Sequence, residues 1–147
     1  MVIKISTKVQ SLNRMLCNID NAYQLMLQKK NLSDSDYAIL FAILELGEGC
    51  LQKDISNTSC ISKKTINTTI KKFERDDIIT LKAGKYPNMH IYFTEQGQKY
   101  IESTLLPLIE FENQFMEDIP DTEFNKMTEL YFKYIKIFKQ RVEESSL

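Results

Sequence analysis

Near its start the chain carries apolar side chains at Val9, Leu12, Leu16, Ile19, Tyr23 and Met26, in steps of three and four that draw one stripe along a helix. The helix is expected from about Ile5 to Lys30, where Lys29 and Lys30 suit the negative end of its dipole and Asn31 breaks the pattern. Ser33, with Asp34 and Asp36 behind it, reads as an N-cap and acidic first turn; Tyr37, Leu40, Phe41 and Leu44 then keep helical spacing until Gly47 and Gly49. A short helix is predicted from about Leu51 to Asn57, burying Leu51 and Ile55, and the polar run Ser56, Asn57, Thr58, Ser59 supplies the next turn. Ser62 opens another helix, in which Ile66, Ile70 and Phe73 lie within about 60° of one another around the axis. Lys64, Thr68, Lys71 and Arg75 fall on the opposite side, flanked by Asn67 and Lys72.

After Asp77 the period drops to two. Ile79 and Leu81 alternate, Ala83 to Asn88 form a turn, and Met89, Ile91 and Phe93 alternate again, which predicts a β-hairpin with His90 on its solvent side. Thr94 caps the next helix, and Pro120 divides the remainder into two long helices. The first carries Tyr100, Ile101, Leu105, Leu108, Ile109, Phe111 and Phe115, and Pro107 should kink it or end its first segment, because proline has no amide to donate. The second places Phe124, Met127, Tyr131, Ile135, Phe138 and Val142 on one stripe with Leu130, Tyr134 and Ile137 beside it, wider than a lone surface helix needs. The fold class is therefore mainly α with a small β-hairpin. A short helix, a tight turn and an apolar-backed helix with a basic outer face make a helix-turn-helix, and a hairpin directly after it is a wing.

Composition narrows the function. With 147 residues, 43% hydrophobic and 27% charged, the chain is an ordinary globular domain, and no stretch approaches the roughly 20 apolar residues that cross a bilayer, so a cytoplasmic location is expected. The net charge of −1 does not by itself advertise a nucleic-acid partner, but its distribution does: Lys63 to Lys85 holds seven basic residues against three acidic ones. Three cysteines and one histidine lack metal-site spacing, so neither a disulfide framework nor a metal is expected. There is no phosphate-cradling glycine loop and no nucleophile-and-base signature, so the reading is not an enzyme and requires no cofactor.

From about Ile5 to Val142 the sequence resembles the multiple antibiotic resistance regulator (MarR) family of winged helix-turn-helix transcription regulators. The run from Ser62 to Glu74 is similar to the family's recognition helix, and Phe93, Thr94, Glu95, Gln96, Gly97 to its usual Leu-Thr-x-x-Gly after the wing. It departs where the family's wing carries Asp-x-Arg, here Lys85, Tyr86, Pro87; where a glycine usually precedes the first wing strand, here Asp77; and at Thr68, which replaces a common arginine. The resemblance implies one domain over 1–147, with a DNA-binding lobe at about 33–93 and dimerisation helices at about 5–30 and 95–143. It implies a homodimer on a pseudo-palindromic operator, with two recognition helices one DNA turn apart. Val9, Leu12, Leu16, Phe124, Met127, Tyr131 and Phe138 are the candidate dimerisation residues, the competing role for the same stripes being internal core.

Within that frame, Lys64, Thr65, Asn67 and Thr68 are the major-groove candidates, Asn67 suited to adenine and Lys64 to guanine. Ser62, Lys63, Lys71, Lys72 and Arg75 are placed for phosphates, and Lys82 and Lys85 stand in for the absent wing arginine. The competing assignment for the helix side chains is a solvated face, for Lys82 and Lys85 a solvated wing, and for Ser62 a helix cap alone. Family members are often repressors released by a small aromatic or phenolic ligand, bound between the dimer base and the winged lobe. Others sense peroxide through a cysteine near the start of the first helix, partnered by a tyrosine near the start of the second. Cys17 lies deeper than that and Asp34 stands at the tyrosine position, so Cys17 is set between a redox role and a buried core thiol. Cys50 and Cys60 are read as packing residues at helix junctions. The alternative function, from another class, is a winged-helix protein-interaction module without specific DNA binding.

Overall fold

The computed structural model describes residues 4–84 and 89–146. Within them, seven α-helices and one antiparallel hairpin run in the order α1 (Thr7–Gln28), α2 (Asp34–Leu46), α3 (Gln52–Thr58), α4 (Lys63–Arg75), β1 (Ile79–Ala83), β2 (Met89–Phe93), α5 (Glu95–Tyr100), a π-helical turn (Ile101–Leu105), α6 (Leu106–Glu117) and α7 (Asp121–Glu143). The chain falls into two compact units that divide between Leu108 and Ile109.

In the first unit the helix ends obey the local chemistry. Ser6, Ser33 and Ser62 each accept the backbone N–H three residues on (Val9, Asp36 and Thr65), which satisfies one orphan donor at the start of α1, α2 and α4. Asn31 leaves α1 at φ 53° and Gly47 leaves α2 at φ 84°. The core lies where α2, α3 and α4 pack on one another and on the hairpin: Ile39, Leu40, Ile43, Ile55, Ile66, Ile70, Phe73, Ile79 and Ile91 are all buried, joined by Ile101, Leu105 and Leu108. The strands pair in the register Ile79↔Phe93, Leu81↔Ile91 and Ala83↔Met89.

Two expectations are corrected here. Leu51 is the residue before α3 rather than its first turn, and it pairs with His90 as a one-residue third strand, because the Cys50 carbonyl takes the Ile91 N–H at 3.0 Å and Gly49 N–H reaches Ile91 O at 2.7 Å. His90 is consequently not a solvent-facing wing residue: it is half-buried, its Nδ1 donating to Gly49 O at 2.5 Å.

Pro107 acts earlier than a simple break would. The α-helical ladder gives way over Ile101–Leu105 to a π turn in which Leu106 N–H donates to Ile101 O, five residues back. Pro107 cannot donate to the carbonyl four residues before it, that of Ser103, and Lys30 Nζ takes that carbonyl at 2.9 Å instead. The helical path continues into α6 with its freed acceptor satisfied.

The second unit is the rest of α6 with α7. α7 starts behind Pro120, carries Asp121 and Glu123 in its first turn, and has no buried residue. Its apolar stripe is open, and the rings of Tyr134 and Phe138 stack 6.0 Å apart.

Candidate nucleic-acid interface

α4 is amphipathic in the sense the sequence predicts: Ile66, Ile70 and Phe73 are buried, while Ser62, Lys63, Lys64, Asn67, Thr68, Lys71, Lys72, Glu74 and Arg75 are exposed. Thr69, which the periodicity left unassigned, is also buried. At the N-terminus the Ser62 and Thr65 hydroxyls lie 2.8 Å apart, and the Thr68 hydroxyl donates back to Lys64 O at 3.0 Å. One of the Ser62 and Thr65 hydroxyls donates to the other, the Ser62 oxygen also accepts the Thr65 N–H at 3.2 Å, and the Thr68 proton is spent on its own helix. Among the described residues Lys63, Lys64 and Lys71 make no ion pair, so three ammonium groups stand on the helix without an internal anion.

Lys72 differs from its neighbour Lys71. Its ammonium sits 2.6 Å from Asp36 Oδ2 on α2 and 5.7 Å from the centre of the Phe73 ring. In this structure the ammonium of Lys72, a candidate for a phosphate, is paired internally with a buried carboxylate while its side chain stays half-exposed. Arg75 stays well exposed, its Nε 3.0 Å from Asp76 Oδ1, a pair that solvent screens.

The turn from α4 into β1 is built by short-range bonds. Asp77 takes φ 54°, as its place in the usual glycine position requires, and Ile78 N–H reaches Phe73 O at 2.8 Å. The motif after the wing closes on the same turn: Thr94 N–H donates to Ile78 O at 3.1 Å, the Thr94 hydroxyl to Asp77 O, and Gly97 N–H to the Thr94 hydroxyl at 2.9 Å. A Cβ on Gly97 would stand 1.8 Å from Ile78 O, so glycine is required there by close approach.

On the wing, Lys82 Nζ lies 4.5 Å from the centre of the Tyr92 ring, a cation–π contact that draws the side chain along β2. Lys85, with Tyr86 and Pro87, lies outside the described residues. Tyr92 and Asp36 are the site residues that sequence reasoning missed. Tyr92 was visible only as a strand position, diagonal to Lys82 across the register, and Asp36 was absorbed into the helix-dipole argument for α2.

The cysteines are corrected as well. Cys17 is exposed rather than a core thiol, its Sγ 3.7 Å from Asn21 Nδ2, and Cys60 is exposed in the turn before α4 rather than packed at a junction. Cys50 is buried, and burial, then the nearby Asp54 carboxylate, pushes its thiol pKa up. The candidate dimerisation residues Val9, Leu16, Phe124, Met127, Tyr131 and Phe138 are exposed in the single chain, and Leu12 is half-buried. Among the described residues no group of three His, Cys, Asp or Glu side chains could hold a metal, and no helix is long and apolar enough to cross a membrane.

Similarity to known proteins is structural. No protein-family model and no curated protein matches the sequence. Among solved structures, a MarR family regulator from Neisseria meningitidis superposes with a TM-score of 0.80 at 16% identity, covering 95% of this chain and 99% of that one. The chain has the MarR-type winged-helix fold. Staphylococcus aureus MepR in complex with DNA gives 0.67 at 17% identity over 92% of this chain and 99% of that one. S. aureus MarR in complex with salicylate and kanamycin gives 0.66 at 18% over 92% and 95%.

Proposed function

We propose that this chain is a sequence-specific double-stranded DNA-binding transcription regulator of the MarR type, a homodimer that represses and is released by a small aromatic or phenolic ligand. The observation that carries the reading is α4: a helix with its apolar side buried, its N-terminus capped by Ser62, and an outer side bearing Lys64, Asn67, Thr68 and Lys71 in the open. Such a helix fits the major groove, where the exposed amide of Asn67 can pair with adenine and Lys64 with guanine. Lys63, Lys71 and Arg75 then meet phosphates, with Lys82 on the wing adding a further cation. Ser62 and Thr65, at the positive end of the helix, suit a phosphate oxygen or a base edge. Lys72 is left out of the phosphate set.

The exposed apolar stripes of α1 and of α7, each taken by itself, support a second copy of the chain as their cover, since a monomer rarely leaves such stripes in water. The S. aureus MarR structure with salicylate supports the class of effector, and the MepR structure with DNA supports the class of target. The test is selection of fragmented genomic duplex DNA by the purified protein at two salt concentrations, followed by sequencing. A shared pseudo-palindrome, with affinity falling steeply as salt rises, is the expected result. No enrichment at low salt refutes the reading and favours a winged-helix module that binds protein instead.

A further inference from the structure

Asp36 is the one charged side chain buried among the described residues, 6% exposed, at the third position of α2 where the Ser33 hydroxyl holds its N–H at 3.1 Å. A carboxylate so placed needs a cation, and it takes one from the helix proposed to read DNA: Lys72 Nζ at 2.6 Å. Lys72 is not itself buried. Its side chain is 45% exposed, and the residue before it, Lys71, one step of 100° around the same helix, is fully on the outer side. Without Asp36 the Lys72 ammonium would keep only its 5.7 Å contact with the Phe73 ring, and no anion among the described residues would hold it against α2. On α5, burial first, and then the Asp36 carboxylate, push the Tyr100 hydroxyl pKa up.

A half-buried pair of this kind adds little net stability, because desolvation of Asp36 and solvent screening at Lys72 offset much of the attraction. Its value lies in what it fixes. We propose that Asp36 is a specificity-determining residue of the DNA interface: by holding Lys72 against α2 it sets the rotation of α4 and withholds a cation that would otherwise add sequence-blind phosphate affinity. This rests on the DNA-binding reading above and deepens it. Discrimination is the difference between specific and non-specific binding, and every additional phosphate contact strengthens the non-specific term.

The test compares wild type with Asp36→Asn, Asp36→Leu, Lys72→Gln and the double variant Asp36→Asn/Lys72→Gln, each on the selected operator and on a random-sequence duplex across a salt series. Thermal unfolding checks that each variant folds. Asp36→Asn keeps the shape of the side chain and Asp36→Leu suits the apolar surroundings, so one can carry the test if the other fails. Expected for the Asp36 single variants is a steeper slope of log K against log salt on random duplex, by about 0.9 per lobe, with several-fold tighter random binding and at least a tenfold loss of operator preference. The double variant, with no cation to release and a neutral pair in its place, is expected to return the slope and most of the preference. That rescue would not be seen if Asp36 merely supported the fold. Unchanged slope and preference in both Asp36 variants overturn the proposal, as does a slope reduced by about 0.9 per lobe in Lys72→Gln alone, which would make Lys72 a phosphate contact in the wild type. Failure of wild type to bind any duplex overturns the DNA reading itself, and the proposal with it.

Discussion

Replacing Gly97 with alanine adds a single methyl group, and the structure says where it goes. The new Cβ would lie 1.8 Å from Ile78 O and 2.8 Å from Ile78 C, both backbone atoms that no rotamer change can move. A carbon and a carbonyl oxygen rest at about 3.3 Å at the closest, so the start of α5 must retreat by about 1.5 Å. Such a shift breaks Thr94 N–H to Ile78 O and the Thr94 hydroxyl to Asp77 O, and distorts the cap on Gly97 N–H. At about 1 kcal/mol each these bonds account for about 2–3 kcal/mol, and the displaced packing for a further 1–3. Alanine's better helix propensity returns about 1 kcal/mol, because Gly97 has no positive φ to lose. The net expected loss is about 2–5 kcal/mol, a large share of an ordinary domain's stability. Urea unfolding followed by circular dichroism measures it. A variant as stable as wild type, or about 1 kcal/mol more stable as for an exposed mid-helix glycine, would refute the close-approach argument and leave the glycine unexplained.

Other outcomes rest on the same contacts. Lys71→Ala should weaken duplex binding about equally on all sequences and reduce the salt slope by about 0.9 per lobe, whereas Asn67→Ala should cost about 1–3 kcal/mol on the operator alone; a filter-binding salt series on both duplexes separates them. Paired substitutions Leu16→Glu and Phe138→Glu should yield monomers by light scattering with duplex affinity lost, and an unchanged dimer would place the interface elsewhere. Phe73→Ala, at 1% exposure, should cost about 3–5 kcal/mol in urea unfolding. With a thiol reagent at neutral pH, Cys60 should react at once and Cys50 only as the chain unfolds, its raised pKa keeping it protonated; prompt labelling of Cys50 would contradict its burial.

Element order and type were legible because α2 and α4 announce themselves by a serine cap and an apolar stripe, α3 by the polar turn that follows it, and the hairpin by a switch of period. The features that were not legible share one cause, partners that are remote in sequence. Leu51 looks like a helix residue until His90 arrives from across the lobe to pair with it. His90 looks outward by alternation, but the Gly49 carbonyl covers it. Pro107 announces a break; the bond that Lys30 gives to Ser103 O, which lets the helical path continue, joins residues 73 apart. For Cys17 the usual burial of a free thiol suggested the core, but that tendency does not say whether the same chain covers the helix that carries it.

The basic segment shows the same limit for charge. Seven cations between Lys63 and Lys85 look like one electrostatic footprint, and for the long-range field they are one. Contact is another matter. Lys72 is committed to Asp36, and Lys85 lies outside the described residues, which leaves Lys63, Lys64, Lys71, Arg75 and Lys82. If all five neutralised phosphates, the slope of log K against log salt would approach about 4.5 per lobe and about 9 for a dimer. Lys64, spent on a base edge, and Arg75, shared with Asp76, lower that figure. A measured dimer slope of about 5–7 on the operator would agree with this division of the cations between fold, base and backbone. A slope well above 9 would mean either that Lys72 reaches the DNA, so that its ion pair with Asp36 opens on binding, or that cations outside α4 and β1 do.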